Sequence, residues 1–148
     1  MKKIFALLFI FIFFASCIPK NLSREIWEYD LIKYSEKCKQ LFDNKSVEIL
    51  LFFTLKNHIY VFTSDDIDKV RMNKSSLKIE LEKNNETIKD IVFVIHNHLL
   101  SKEFSKSNNN FEGDVAFFTY LTYQGFRGLF CLWYNGEIVR IMIENKKQ

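Results

Sequence analysis

An α/β (α+β) fold is predicted for this chain by three features. One amphipathic helical stripe precedes several short apolar runs rich in β-branched and aromatic residues, and an Asn-Gly pair joins two of those runs near the end. The 148 residues suit one domain of ordinary size and are too few for two that each bury a core. With 48% hydrophobic, 26% charged and 16% aromatic residues, but only 4 Gly and 1 Pro, the composition excludes a collagenous, low-complexity or disordered chain. The formal charge of +3 is small and its basic residues are dispersed, so nucleic acid is not an expected partner.

The first segment reads as a processing signal. Lys2-Lys3 precede eleven apolar residues from Ile4 to Phe14, then Ala15-Ser16 and Cys17. A basic start, an apolar run too short to span a bilayer and small residues before a cut define a secretion signal over residues 1–16. Phe14-Ala15-Ser16-Cys17 resembles the lipobox of bacterial lipoproteins, with Phe14 where Leu is usual. That resemblance implies a diacylglyceryl group on Cys17, a lipidated tether over residues 17–22, and a mature protein held on a membrane, facing away from the cytoplasm. Removing residues 1–16 leaves 19 basic against 18 acidic residues, a charge of +1, and lowers the Phe count from 16 to 11. Cys38 and Cys131 then remain, either as one bridge or as two separate buried thiols.

Residues 23–148 are expected to form a single domain. Ser23 can cap a helix whose apolar residues Trp27, Leu31, Tyr34, Cys38 and Leu41 recur at spacings of 4, 3, 4 and 3, one helical stripe. Asp43-Asn44-Lys45 ends it. Val47 to Leu55 and His58 to Thr63 read as a hairpin, the first strand apolar on both faces and hence central. Residues 64–89 are ambiguous, because Leu77, Ile79 and Leu81 alternate like a strand while Leu77 with Leu81 also suits a helix. Asp90 to Ile95 is a buried strand that ends in His96-Asn97-His98, and a polar loop rich in Ser, Lys and Asn follows. Glu112 to Tyr123 is a predicted helix, with Val115, Phe118 and Leu121 or Thr122 inward and Gly125 just past its end. Leu129 to Tyr134 and Glu137 to Ile143 flank Asn135-Gly136 as the clearest hairpin.

Two His separated by one residue on a strand share a face, so both imidazoles can reach one cation. Asp114, in the first turn of the following helix, can return a carboxylate to them. His96, His98 and Asp114 would leave zinc an open fourth position for water, the arrangement of a catalytic site. Glu48 is the expected base, since burial among Ile49, Leu50 and Phe52 would raise its pKa. Elsewhere, His58 is expected at the surface. Asp65, Asp66 and Asp68 lack the Gly and distal Glu of a calcium loop and suit a solvated turn. Trp27, Trp133 and most Phe residues are expected in the core, and the Lys146-Lys147 tail in solvent.

In order and spacing, Glu48 in its strand, the run Ile91 to His98 and the run Glu112 to Leu121 resemble the JAB/MPN (JAMM) metalloprotease superfamily, nearest its bacterial RadC-like members. The resemblance covers Ser46 to Gly136. It implies His96, His98 and Asp114 as zinc ligands, Glu48 as the acid/base, and attack of a zinc-bound water on a peptide or isopeptide carbonyl. It also implies a curved mixed sheet flanked by helices, a JAMM/cytidine-deaminase-like three-layer arrangement, with the segment near Ser75 to Asn84 helical. Two positions depart from the family pattern. Leu99 stands where Pro is usual, and Phe111 replaces the Ser whose hydroxyl helps to stabilise the oxyanion. Ser105 or Ser107 is available to supply a hydroxyl by another path, and the loss of one such donor costs about 10² to 10³ in turnover. The alternative reading is a lipoprotein binding module that keeps the fold, with or without the metal, but not the catalysis.

Overall fold

The computed structural model describes residues 20–63, 67, 69–70, 72–106 and 112–142, with side chains from Leu31 onward. The expected signal over residues 1–16, Cys17, the Trp27 side chain, the acidic residues 65, 66 and 68, Ser107, Phe111 and the lysine tail lie outside these residues. Two compact units are present, the first ending at Gln40 and the second beginning at Leu41.

Helix α1 spans Lys20–Phe42, starting three residues before Ser23. Tyr34 and Cys38 are buried while Lys33, Glu36 and Lys39 are exposed, as the apolar stripe requires. Cys38 and Cys131 are separate buried thiols, and burial pushes the Cys38 thiol up to about 12.

From Leu41 onward the fold is a five-stranded mixed sheet. Its strands are β1 (Ile49–Thr54), β2 (Ile59–Thr63), β3 (Ile91–Asn97), β4 (Leu129–Tyr134) and β5 (Glu137–Met142), in the order β2-β1-β3-β4-β5. All six residues of β1 are buried, in agreement with a run that is apolar on both faces. β1 pairs antiparallel with β2 and β3, and β4 pairs antiparallel with β5. β3 and β4 are parallel, so the chain between them must cross over, and helix α3 (Asp114–Tyr123) lies in that crossover. At the β4–β5 turn Asn135 and Gly136 have φ of 50° and 89°, the two positive values that a type I′ turn needs.

The ambiguous segment contains helix α2 (Lys74–Lys83). Asn73 caps it by accepting a hydrogen bond from the Ser75 amide at 2.9 Å. Leu77 and Leu81 are fully buried one turn apart, whereas Ile79 is 52% exposed; a strand would have put all three on one face. The core lies between α2, α3 and one sheet face, and includes Leu50, Phe52, Val94, Leu121, Phe126 and Phe130.

Helix α3 differs from expectation in one respect. Val115 is 38% exposed, while Leu121 is buried and Phe117 and Phe118 are half-buried. The inward positions are 114, 117, 118 and 121, a helical stripe that begins with an acid rather than an apolar residue. Gly125 follows the helix with a φ of 101°, as predicted.

At the end of β1, Glu86 is buried and accepts hydrogen bonds from Thr54 Oγ1 at 2.5 Å and Tyr60 OH at 2.5 Å. His58 Nδ1 lies 3.0 Å from the same carboxylate, with its ring half-exposed as expected. Burial opposes the charge on Glu86, but these three partners hold its pKa below the usual carboxylate value.

Candidate metal centre

The site forms at the carboxyl ends of the parallel strands β3 and β4. His96 is the next-to-last residue of β3, and the His98 amide donates to the Trp133 carbonyl of β4 at 2.9 Å. The two imidazoles share a face and their Nε2 atoms are 3.0 Å apart. Asp114 opens α3 and brings Oδ1 to 3.0 Å from His96 Nε2 and Oδ2 to 3.4 Å from His98 Nε2. In a tetrahedral zinc site with bonds of about 2.0 to 2.1 Å, donor atoms stand about 3.3 Å apart. The three separations bracket that value, and His96, His98 and Asp114 could hold a metal ion.

Glu48 completes the group without joining the ligand set. Leu50 pairs with His96 in the β1–β3 register, so Glu48, two residues back, lies across from His98. Its Oε1 is 3.7 Å from His98 Nε2, and its side chain is only 7% exposed. All four sequence-predicted groups therefore converge.

Electrostatics favour the ligand state of Asp114 and oppose that of His98. Burial would raise the pKa of Asp114, but hydrogen bonds from His96 and His98, the charge of the His96 ring and the Ser105 amide hold it far below the usual carboxylate range. Burial opposes protonation of His98, yet its hydrogen bond to Asp114, the Asp114 and Glu48 charges and a bond to the Ser101 backbone together place its pKa above the ordinary imidazole value. The buried Nδ1 of His96 makes no hydrogen bond. Its ring is held by packing, with centroids 6.1 Å from Phe104 and 5.7 Å from Phe130.

Two supporting residues were not predicted in these roles. Asn97 points away from the His pair, its Oδ1 accepting from the Ile49 amide at 2.6 Å and its Nδ2 donating to the Val47 carbonyl at 3.2 Å. It therefore grips the backbone on both sides of Glu48. The sequence signal was a polar residue inside an apolar strand, overshadowed by its His neighbours. Ser105, read above as a hydroxyl donor, also binds Asp114. Its amide donates to Asp114 Oδ2 at 2.6 Å and its Oγ accepts from the Asp114 amide at 2.8 Å.

The group opens into a cleft of about 1070 Å³ whose walls include Val70, Met72, Leu100, Phe104 and Phe117, with Lys69, Lys74 and Lys106 among the polar residues. Among the described residues no helix is long and apolar enough to cross a membrane. No protein-family model matches the sequence, and a comparison with curated proteins finds no match.

Proposed function

We propose that this protein is a zinc-dependent metallohydrolase of the JAMM type, anchored to a membrane by lipid on Cys17, that cleaves a peptide or isopeptide bond outside the cytoplasm. The observation that carries the reading is the convergence of His96 Nε2, His98 Nε2 and the Asp114 carboxylate, with Glu48 beside them, at the wall of one cleft. Two imidazoles and one carboxylate are a donor set that suits zinc and leaves a position open. Bound there, zinc would supply Lewis acidity to a carbonyl and lower the pKa of a water.

The chain's own residues do the rest. Glu48 takes the proton of the attacking water and returns it to the leaving amine, a role that requires closeness to the ligands without membership among them. Asn97 fixes Glu48 through the flanking backbone. The apolar residues of the cleft wall seat substrate side chains. The anchor rests on the sequence alone: a basic start, an apolar run and Cys17 after Ala15-Ser16.

The test is metal analysis of the purified full chain with peptide-library hydrolysis by the parent and Glu48→Gln. One zinc per chain is expected, with hydrolysis falling about 10² to 10⁴-fold in the variant while zinc is retained. A chain that takes up no zinc would remove the proposal. The second reading, a metal-holding binding module, is motivated by Phe111 and Leu99 at the positions where the family has Ser and Pro; zinc uptake with no hydrolysis by the parent is its signature.

A further inference from the structure

We infer that Ser105 is the positioning residue of the metal centre, setting the orientation of the Asp114 carboxylate from outside the ligand set; this rests on the metal site proposed above. The carboxylate is the one ligand group of the three that comes from a helix rather than from the end of β3, so its aim depends on how α3 is entered. The helix entry does not provide for itself. Its N-cap position is Gly113, which has no side chain to satisfy the first amides, and no side-chain cap is formed within the helix. Ser105 supplies the cap from across the loop. Its Oγ accepts the Asp114 amide at 2.8 Å, its carbonyl accepts the Val115 amide at 3.3 Å, and its own amide donates to Asp114 Oδ2 at 2.6 Å.

Two of these bonds belong to the Ser105 backbone and any residue there keeps them; the side chain's own contribution is the Oγ cap on the Asp114 amide, which fixes the backbone from which the carboxylate projects. The bond to Oδ2 takes one of its lone pairs and leaves Oδ1 facing His96 Nε2 at 3.0 Å. Gly113 makes this approach possible. Its φ is 102°, and a Cβ there would stand 2.6 Å from the Lys106 carbonyl oxygen and 3.1 Å from Ser105 Oγ. Partners that orient a metal ligand typically account for about 10 to 100-fold in metal affinity.

The experiment measures binding of zinc(II) and cobalt(II), each alone, to the full chain and to Ser105→Thr, Ser105→Val and Ser105→Ala. Thr and Val differ by a hydroxyl for a methyl, and Ser105 is exposed, so the added methyl meets solvent. Thr is expected within about threefold of the parent, while Val and Ala bind about 10 to 100-fold more weakly and shift the visible bands of the cobalt form. A merely structural role would lower the melting temperature and leave the cobalt spectrum unchanged, which overturns the inference. Val or Ala binding as tightly as Thr overturns it as well. If the parent itself binds neither ion, the metal site has failed, an outcome separate from failure of Ser105 alone.

Discussion

Replacing Glu86 by Gln tests whether the buried carboxylate below the β1–β2 hairpin is held as an anion. The substitution keeps the shape and removes the charge. Thr54 Oγ1 and Tyr60 OH each donate to Glu86 at 2.5 Å, and His58 Nδ1 lies at 3.0 Å. Tyr60 also accepts from Asn84 Nδ2 at 2.9 Å, so an amide placed against it leaves the tyrosine proton without an acceptor. Hydrogen bonds to a charged partner contribute about 1.5 to 3 kcal/mol, against about 0.5 to 1.5 between neutral groups. Two buried hydroxyl bonds and a half-exposed imidazole bond changing class gives a loss of about 2 to 3 kcal/mol, or about 8 °C in melting temperature for a chain of this size. The assay is urea unfolding of the full chain at neutral pH and then at falling pH. The folded pKa of Glu86 is depressed, so its contribution is fully present above the unfolded value of about 4.3 and is lost as pH falls through the lower folded value. Parent and variant curves should therefore converge in acid. A loss under about 0.5 kcal/mol, or a gap that stays constant with pH, refutes the reasoning.

Other outcomes follow from the same geometry. Gly128→Ala would place a Cβ 2.1 Å from the Val92 carbonyl oxygen, prying β4 from β3 at a cost of about 3 kcal/mol in urea unfolding. Gly113→Ala combines a φ of 102° with a 2.6 Å clash; it should cost about 1 to 3 kcal/mol and weaken zinc binding in calorimetry together with Ser105→Ala. Because the pKa of His98 lies above the ordinary imidazole value, protons compete for Nε2, and zinc affinity should fall as pH drops from about 8 through about 6.5. A flat affinity profile over that range would show that His98 is not a ligand.

The strands and their hairpins were legible because each rests on local signals: apolar runs between turn residues, and Asn-Gly at a turn that needs two positive φ values. The His pair and Asp114 were legible too, since a strand end and a helix start fix where their side chains point. Less legible was residues 64–89, where Leu77, Ile79 and Leu81 satisfy two periods at once and only the Asn73 cap and tertiary burial decide for a helix. The inward face of α3 was misplaced at Val115 because the stripe starts with Asp114, which an apolar pattern passes over. Glu86 and Asn97 were hidden for a different reason. Their partners are distant in the chain, as with Asn97 and Ile49, 48 residues apart, and no local pattern encodes such a pairing.

The parallel pairing of β3 with β4 makes the candidate site depend on a contact between distant parts of the chain. The antiparallel strands β1, β2 and β3 can form from the first two thirds of the chain; β3 carries His96, and Glu48 directly precedes β1. His98 is different, because its amide is tied to Trp133 on a strand that is made later and joins only after the crossover closes. A nascent or partly folded chain therefore holds all three ligands in its sequence without holding them as a site. Metal uptake would therefore report the docking of β4.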